Sequence, residues 1–236
     1  GPRGGASGTV GSARVATTPG REWLLFAALV ALQLVAVWAF GVYATQDGAT
    51  HLFNAVVWAE YAEPARAVFR EIFTLSREPN PNWTAQLLLA ALSRALPPDA
   101  AEKVLVSLYV VGMPLAMRSL VRALGHASPW LALACVPLVQ TFVLAMGLYN
   151  FCLSLVLYLG LLGRYVRAGE AGGPLRWLAF AAGCVVVYFT HIVSTLALAV
   201  TIAAHEVGAW SAEPGAWRLQ AARLARAAVA ALPSAA

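Results

Sequence analysis

Asp47, His51 and Asn54 recur at i, i+4 and i+7 in Gln46-Asp47-Gly48-Ala49-Thr50-His51-Leu52-Phe53-Asn54. On a helix that spacing puts all three side chains on one face. Asp47 has two readings: an N-cap for the helix that follows it, or a general base or charge that steadies a cation developing at a sugar carbon. His51 beside it is a proton shuttle, a phosphate ligand or a polar residue at the water interface. Asn54 extends the same face as a candidate substrate ligand.

Other residues could supply the rest of a site. Arg66 and Arg70, with Arg77, hold a lipid phosphate or pyrophosphate in bidentate geometry, or else sit among headgroups. Asn150, at the end of Met146-Gly147-Leu148-Tyr149-Asn150, recognises a sugar hydroxyl or serves the turn. Asn82, in Pro79-Asn80-Pro81-Asn82, is a second candidate substrate ligand. His191 lies inside an apolar stretch, Tyr188-Phe189-Thr190-His191-Ile192-Val193-Ser194. Ionisable residues there are costly and usually face a cavity or pathway; the other reading is a neutral imidazole bonded to Thr190, Ser194 or a neighbouring carbonyl. Two histidines and a carboxylate are a set that can hold a divalent metal, although His51 and His191 are distant in sequence. The chain has no Walker loop, HExxH, GxSxG, haem or redox motif, so no cofactor is read from it.

The elements that must position these residues are membrane helices. Of 236 residues, 60% are hydrophobic and 11% charged, far from the roughly 25% charged residues of soluble domains. Mean hydropathy is +0.70. Several apolar runs approach the ~18–20 residues that cross a bilayer as helix, and the ~10-residue alternation of a membrane barrel is absent. The fold class expected is all-α, a polytopic transmembrane helical bundle with short interfacial helices in the first outer loop. Arginines in short clusters between apolar runs explain the net charge of +5 as loops facing anionic lipid; membrane lipid is the partner expected, and nucleic acid is not. Cys135, Cys152 and Cys184 all lie in apolar runs and read as packing residues.

In chain order, residues 1–20 read as a disordered cytoplasmic tail and 21–236 as the helical domain. Spans are expected over about 23–43, 103–124, 129–146, 150–166, 175–190 and 192–207. Interfacial helices are expected over 49–61 and 64–75, and a short re-entrant or interfacial helix over 83–96. Asp99 with Glu102 three residues on reads as a capping box. The start without methionine and the apolar segment beginning near the end mark an expected fragment, truncated at the C-terminus.

Arg3, Arg14 and Arg21 before the first span put the N-terminus in the cytoplasm of a plasma (inner) membrane protein. Placing Arg118 and Arg122 inside with Arg164, Arg167 and Arg176 makes the crossings between them turn outside, at Asn150. His191 then arrives near the outer edge, about 24 Å along its helix. Asp47, His51, Asn80, Asn82, Asn150 and His191 all resolve to the outer face.

This order resembles the GT-C superfamily of integral-membrane glycosyltransferases, which includes protein O-mannosyltransferases and the lipid A aminoarabinose transferase. The likeness rests on a first span followed by Asp47, on outer-loop interfacial helices, and on Pro79-Asn80-Pro81-Asn82-Trp83 before a short apolar helix. It continues with Ala101-Glu102-Lys103-Val104-Leu105 on a helix ending in arginines, and with Gly147-Leu148-Tyr149-Asn150-Phe151 opening a hairpin's second arm. The resemblance implies transfer of a sugar from a polyprenyl-phosphate donor on the outer face, with Asp47 as base or metal-associated acid. The chain departs from the paired-acid form, because no second acid adjoins Asp47. The alternative is a non-enzymatic multi-pass protein, a transporter or lipid-handling module.

Overall fold

The computed structural model describes residues 19–76, 78, 80–126, 130–168, 173–212, 215 and 217–231. The expected tail up to residue 18 and Arg77 lie outside them. The described residues are all-α, with no strand. Eleven helices follow in order: α1 (Pro19–Trp38), α2 (Gly48–Glu60), α3 (Ala67–Ile72), α4 (Thr84–Ser93), α5 (Pro98–Ala123), α6 (Trp130–Leu133), α7 (Phe142–Ala145), α8 (Tyr149–Ala168), α9 (Pro174–Thr190), α10 (Ile192–Ala212) and α11 (Trp217–Ala231). Four of them, α1, α5, α8 and α10, are long and apolar enough to cross a membrane. The chain reads as a membrane-embedded multi-pass protein. Exposed Leu24, Leu32, Leu178, Leu196 and Val200 on those helices and on α9 are what a bilayer, rather than water, tolerates in quantity.

Helix α5 is the axis. Pro98 opens it at a position where a missing N–H costs nothing. Glu102, Leu105, Val106, Tyr109 and Val110 are all buried and follow the i, i+3, i+4, i+7, i+8 stripe of a helix that packs on one side. Helix α8 lies parallel to it: Tyr149 meets Glu102, Val156 faces Gly112 and the backbone at Leu120 faces Gly163. Helix α1 runs antiparallel to α5, with Trp38 Nε1 donating to Ser107 (3.0 Å) and Arg118 stacked 3.8 Å over Trp23.

Helices α9 and α10 form an antiparallel hairpin around His191. Its backbone is extended (φ −167°, ψ 123°), so one residue breaks what the apolar pattern alone would continue. On the α8 side, α10 is tied by Ser154–Ser194 (2.6 Å), Tyr158–Thr201 (2.9 Å) and Tyr165–Glu206 (3.0 Å). Such hydroxyl contacts between apolar helices are the usual polar glue of membrane bundles. Helix α11 packs on both α9 and α10.

Two segments, one expected as a span and one as an interfacial helix, differ from expectation. The segment expected to cross at 129–146 is broken into α6, a 3₁₀ turn over Val136–Leu138 and α7; Pro137 in that turn has no N–H to carry a longer helix. The interfacial segment at 64–75 is a 3₁₀ turn, Pro64–Arg66, running into the six residues of α3. Helix α4 begins against the starts of α8 and the end of α9, and leads directly into α5. It therefore lies across one end of the bundle.

Candidate functional site

The bundle has two chemically distinct ends. One carries Asp47, Glu102 and the start of α8. The other carries Arg118, Arg122, Arg164, Arg167, Arg176 and Arg223. Several of the site residues expected from the sequence gather around three successive residues of α8, namely Tyr149, Asn150 and Phe151. Successive helix residues point about 100° apart, so each serves a different neighbour.

Tyr149 faces the loop after α1. Its hydroxyl donates to the Glu102 carboxylate and lies 2.9 Å from Thr45 Oγ1, which in turn accepts from the Gly48 N–H at 3.0 Å. A tyrosine has one hydroxyl proton, so the ordered chain runs Gly48 N–H to Thr45 to Tyr149 to Glu102. Glu102 is 3% exposed and Tyr149 2%. Lys103, the adjacent cation, donates to the Phe40 carbonyl instead. The loop is clamped from behind: Gln46 N–H donates to the Ala145 carbonyl and Asp47 N–H to Met146 (3.0 and 3.1 Å). Gly147 makes that clamp feasible. It has φ +81°, and a Cβ there would stand 3.0 Å from Gly48 N and Thr45 Oγ1, a conformation and a space only glycine suits.

Asp47 occupies the N-cap position of α2, but its side chain makes no capping hydrogen bond. Of the two roles open to Asp47, capping is not the one its side chain performs. One turn on, the His51 ring lies 5.7 Å from the Tyr149 ring, and the His51 carbonyl accepts from Gln86 Nε2. Asn54 is exposed further along α2. Burial, with Cys152 and Glu102 nearby, raises the pKa of Tyr43, beside this loop.

Asn150 serves α4. Its Oδ1 accepts from Ala85 N–H and its Nδ2 donates to the Asn82 carbonyl, both at 2.8 Å. The amide therefore ties down one of the free N–H groups of the first turn of α4. Asn82 is exposed and left-handed (φ 71°), the tolerance for which Asn is known in turns. Asn150, expected as a substrate ligand, acts through its side chain as the joint between α8 and α4, and Asn82, expected in the same role, enters that joint through its main-chain carbonyl. Trp83 N–H to the Phe189 carbonyl (3.0 Å) and Thr190 to Thr84 (2.9 Å) add α9 to it.

Phe151 packs edge-on to His191 at 5.0 Å. His191 Nδ1 is buried without a hydrogen-bond partner, and burial lowers its pKa. The structure thus gathers Asp47, His51, Asn150 and His191 around one helical turn. Arg66 and Arg70 are engaged elsewhere, Arg66 with Glu60 (2.6 Å) and Arg70 with the carbonyls of Tyr61 and Glu63 (2.6 and 3.1 Å), where they close the C-terminal end of α2. Among the described residues no group of three His, Cys, Asp or Glu side chains is placed to hold a metal.

Glu102 is the residue that sequence reading placed in the wrong role. The expected capping box is not formed: Pro97 is the N-cap, without a side-chain bond, and Glu102 turns inward to Tyr149. The signal was present in the stripe it shares with Leu105, Val106 and Tyr109. A carboxylate on the buried face of a spanning helix needs a partner. Tyr149 and Thr45 follow from it.

No family model, curated protein or solved structure matches this chain.

Proposed function

We propose that the chain is an integral-membrane glycosyltransferase of GT-C type, with its N-terminus cytoplasmic. It transfers a sugar from a polyprenyl-phosphate donor on the outer face of the plasma membrane. The observation that carries this reading is the pairing of an uncapped Asp47 carboxylate with the Thr45–Tyr149–Glu102 chain beneath its loop. The chain fixes the loop from below while leaving Asp47 at the surface end.

In this mechanism Asp47 takes the proton of the acceptor hydroxyl as its oxygen bonds to the anomeric carbon. The bond from that carbon to the donor phosphate breaks, and polyprenyl phosphate leaves with the electron pair. His51, on the same face, is placed to relay the proton to solvent. Arg70 keeps N–H groups beyond those given to Tyr61 and Glu63, because a guanidinium has five, and these are available to a phosphate at the headgroup level.

Asp47→Asn should abolish transfer, a loss of about 10²–10⁴-fold if the base role is all that goes. Insertion and helical content should remain those of the parent. Unchanged transfer by that variant removes Asp47 from the mechanism.

The broken segment between Trp130 and Ala145 favours a second reading, since transporters build their sites from discontinuous helices. Side-specific labelling separates the two. His51→Cys and His191→Cys should react with an impermeant thiol reagent from the outer side only, whereas a transporter alternates and exposes them from both.

A further inference from the structure

The arginine end of the molecule holds a cleft that the proposed reaction does not use. It measures ≈540 Å³ and lies between α8 and α9, lined by Arg164, Arg167 and Arg176 over an aromatic floor of Tyr165, Trp177 and Phe180. The three rings pack on one another, Tyr165–Trp177 at 6.2 Å, Tyr165–Phe180 at 5.6 Å and Trp177–Phe180 at 5.8 Å. Among the described residues the guanidinium groups of Arg164 and Arg176 have no carboxylate or hydrogen-bond partner; the ion pairs among those residues are Arg66–Glu60 and Arg223–Glu206. Arg167 uses one nitrogen to bind Ser119 through both its carbonyl and its hydroxyl, each at 3.0 Å, and retains the rest of its guanidinium. The indole Nε1–H of Trp177 is buried with no acceptor, although an indole N–H is a donor that normally finds one.

All of these unsatisfied groups are donors and, among the described lining residues, all the charge is positive, so the complement is an anion rich in acceptor oxygens. Phosphate is the group that arginines bind in this way.

A second space shares two of the same arginines. A groove of ≈590 Å³ runs between α5, α8 and α9, from Val156 and Val186 down to Arg164 and Arg167. From Val156 to Arg167 it extends about 16 Å along α8. Its walls include Gly112, Gly160 and Gly183; at Gly160 an added Cβ would meet nothing within 4 Å. An apolar channel that opens at a cationic headgroup pocket describes one kind of ligand, an amphiphile with a phosphate head. We infer that this is a binding site for an anionic glycerophospholipid of the leaflet at the arginine end. Its phosphate sits among Arg164, Arg167 and Arg176, and one acyl chain lies in the α5–α8–α9 groove.

The test is native mass spectrometry of the full chain in mild detergent, titrated with phosphatidylglycerol, with zwitterionic phosphatidylcholine, and with glycerol phosphate as a head without tails. The parent protein should bind phosphatidylglycerol at least tenfold more tightly than phosphatidylcholine, and glycerol phosphate weakly or not at all. Arg164→Gln with Arg176→Gln should lose about 30-fold for phosphatidylglycerol, since each arginine near the surface contributes about 1 kcal/mol and 1.4 kcal/mol is tenfold. Arg122→Gln, at the same end but outside the cleft, should change binding less than twofold. Gly160→Leu fills the groove and leaves every charge in place; it should lose phosphatidylglycerol while keeping the parent's helical content and elution volume. Equal binding of the two lipids, or equal losses in the Arg122 and Arg164/Arg176 variants, overturns the headgroup assignment. Full binding by Gly160→Leu overturns the acyl groove, and tight binding of glycerol phosphate makes the cleft a site for soluble phosphate. Should the double variant fail to fold, the Gly160 variant and the lipid comparison on the parent still decide. Sugar transfer plays no part in any of these readings.

Discussion

Helix α8 begins and ends with the same pair of residues in two different settings. At its start Tyr149 donates to Glu102; about 24 Å along the helix Tyr165 donates to Glu206. Both carboxylates are buried, Glu102 at 3% exposure and Glu206 at 1%. The difference is the cation. Arg223 reaches Glu206 at 3.1 Å and its guanidinium lies 5.5 Å over the Tyr165 ring, whereas Lys103 beside Glu102 turns away to the Phe40 carbonyl.

A neutralised pair in a low-dielectric interior is a structural joint, here the one that fastens α11 to α8 and α10. A carboxylate held by hydroxyls alone has no cation to offset its burial. The first arrangement fastens three helices through an ion pair, and the second holds a loop through hydroxyl hydrogen bonds. The contrast teaches that a buried acid is read by its partners, not by its burial.

The largest effect expected from this contrast is at the fixture. Arg223→Met leaves Glu206 buried opposite no cation, a change that costs about 3–5 kcal/mol when a buried pair loses one member. Thermal unfolding in detergent should show it, and Glu206→Leu added to that variant should recover part of the loss. A stable Arg223→Met protein would mean that the two ends do not differ as described.

Next in size is Gly48→Ala. The new methyl would collide with Glu102 Oε1 and Thr45 Oγ1 and lie 2.7 Å from the Tyr149 hydroxyl. Overpacking of this kind costs about 1–3 kcal/mol, and a proteolytic nick rate at residues 44–49 above that of the parent would report the displaced loop. The smallest effect on stability belongs to Glu102→Gln. The amide oxygen still accepts from Tyr149 and no cation is stranded, so unfolding should shift by less than about 1 kcal/mol. The same substitution at Glu206 strands Arg223 and should cost several times as much. If the two glutamine variants unfold alike, the cation is not what separates the ends.

Much of the architecture was legible before any coordinates. The arginine clusters at the ends of α5 and α8 put those ends on one side of the bundle, and the parallel packing of α5 on α8 is the arrangement that satisfies them. The gathering of Asp47, His51, Asn150 and His191 at the opposite end follows from the same placement.

What escaped was decided by tertiary contact. Asp99 and Glu102 have the spacing of a capping box, yet Tyr149, far away in sequence, offered Glu102 a better partner than the helix end did. Asn150 has the chemistry to hold a sugar, but the backbone N–H of Ala85 needed an acceptor. Arg66 is drawn to the Glu60 carboxylate, and Arg70 gives one nitrogen to carbonyls within nine residues and keeps the rest of its guanidinium. Hydropathy cannot see that Pro137 interrupts the return segment, because the residues around it are as apolar as those of a helix.

The clamp between the loop after α1 and the turn before α8 also bears on how the protein is made. Thr45 and Tyr149 are separated by 104 positions, and Gln46 and Asp47 bond to carbonyls almost as distant. Chains emerge from the N-terminus at roughly 5–20 residues per second, so the Asp47 loop waits several seconds, untethered, for the segment that fixes it. Contacts of such separation form late. A ribosomal pause or a retarded insertion between α5 and α8 should therefore leave a bundle whose first half is in place and whose Asp47 loop is still open to proteases.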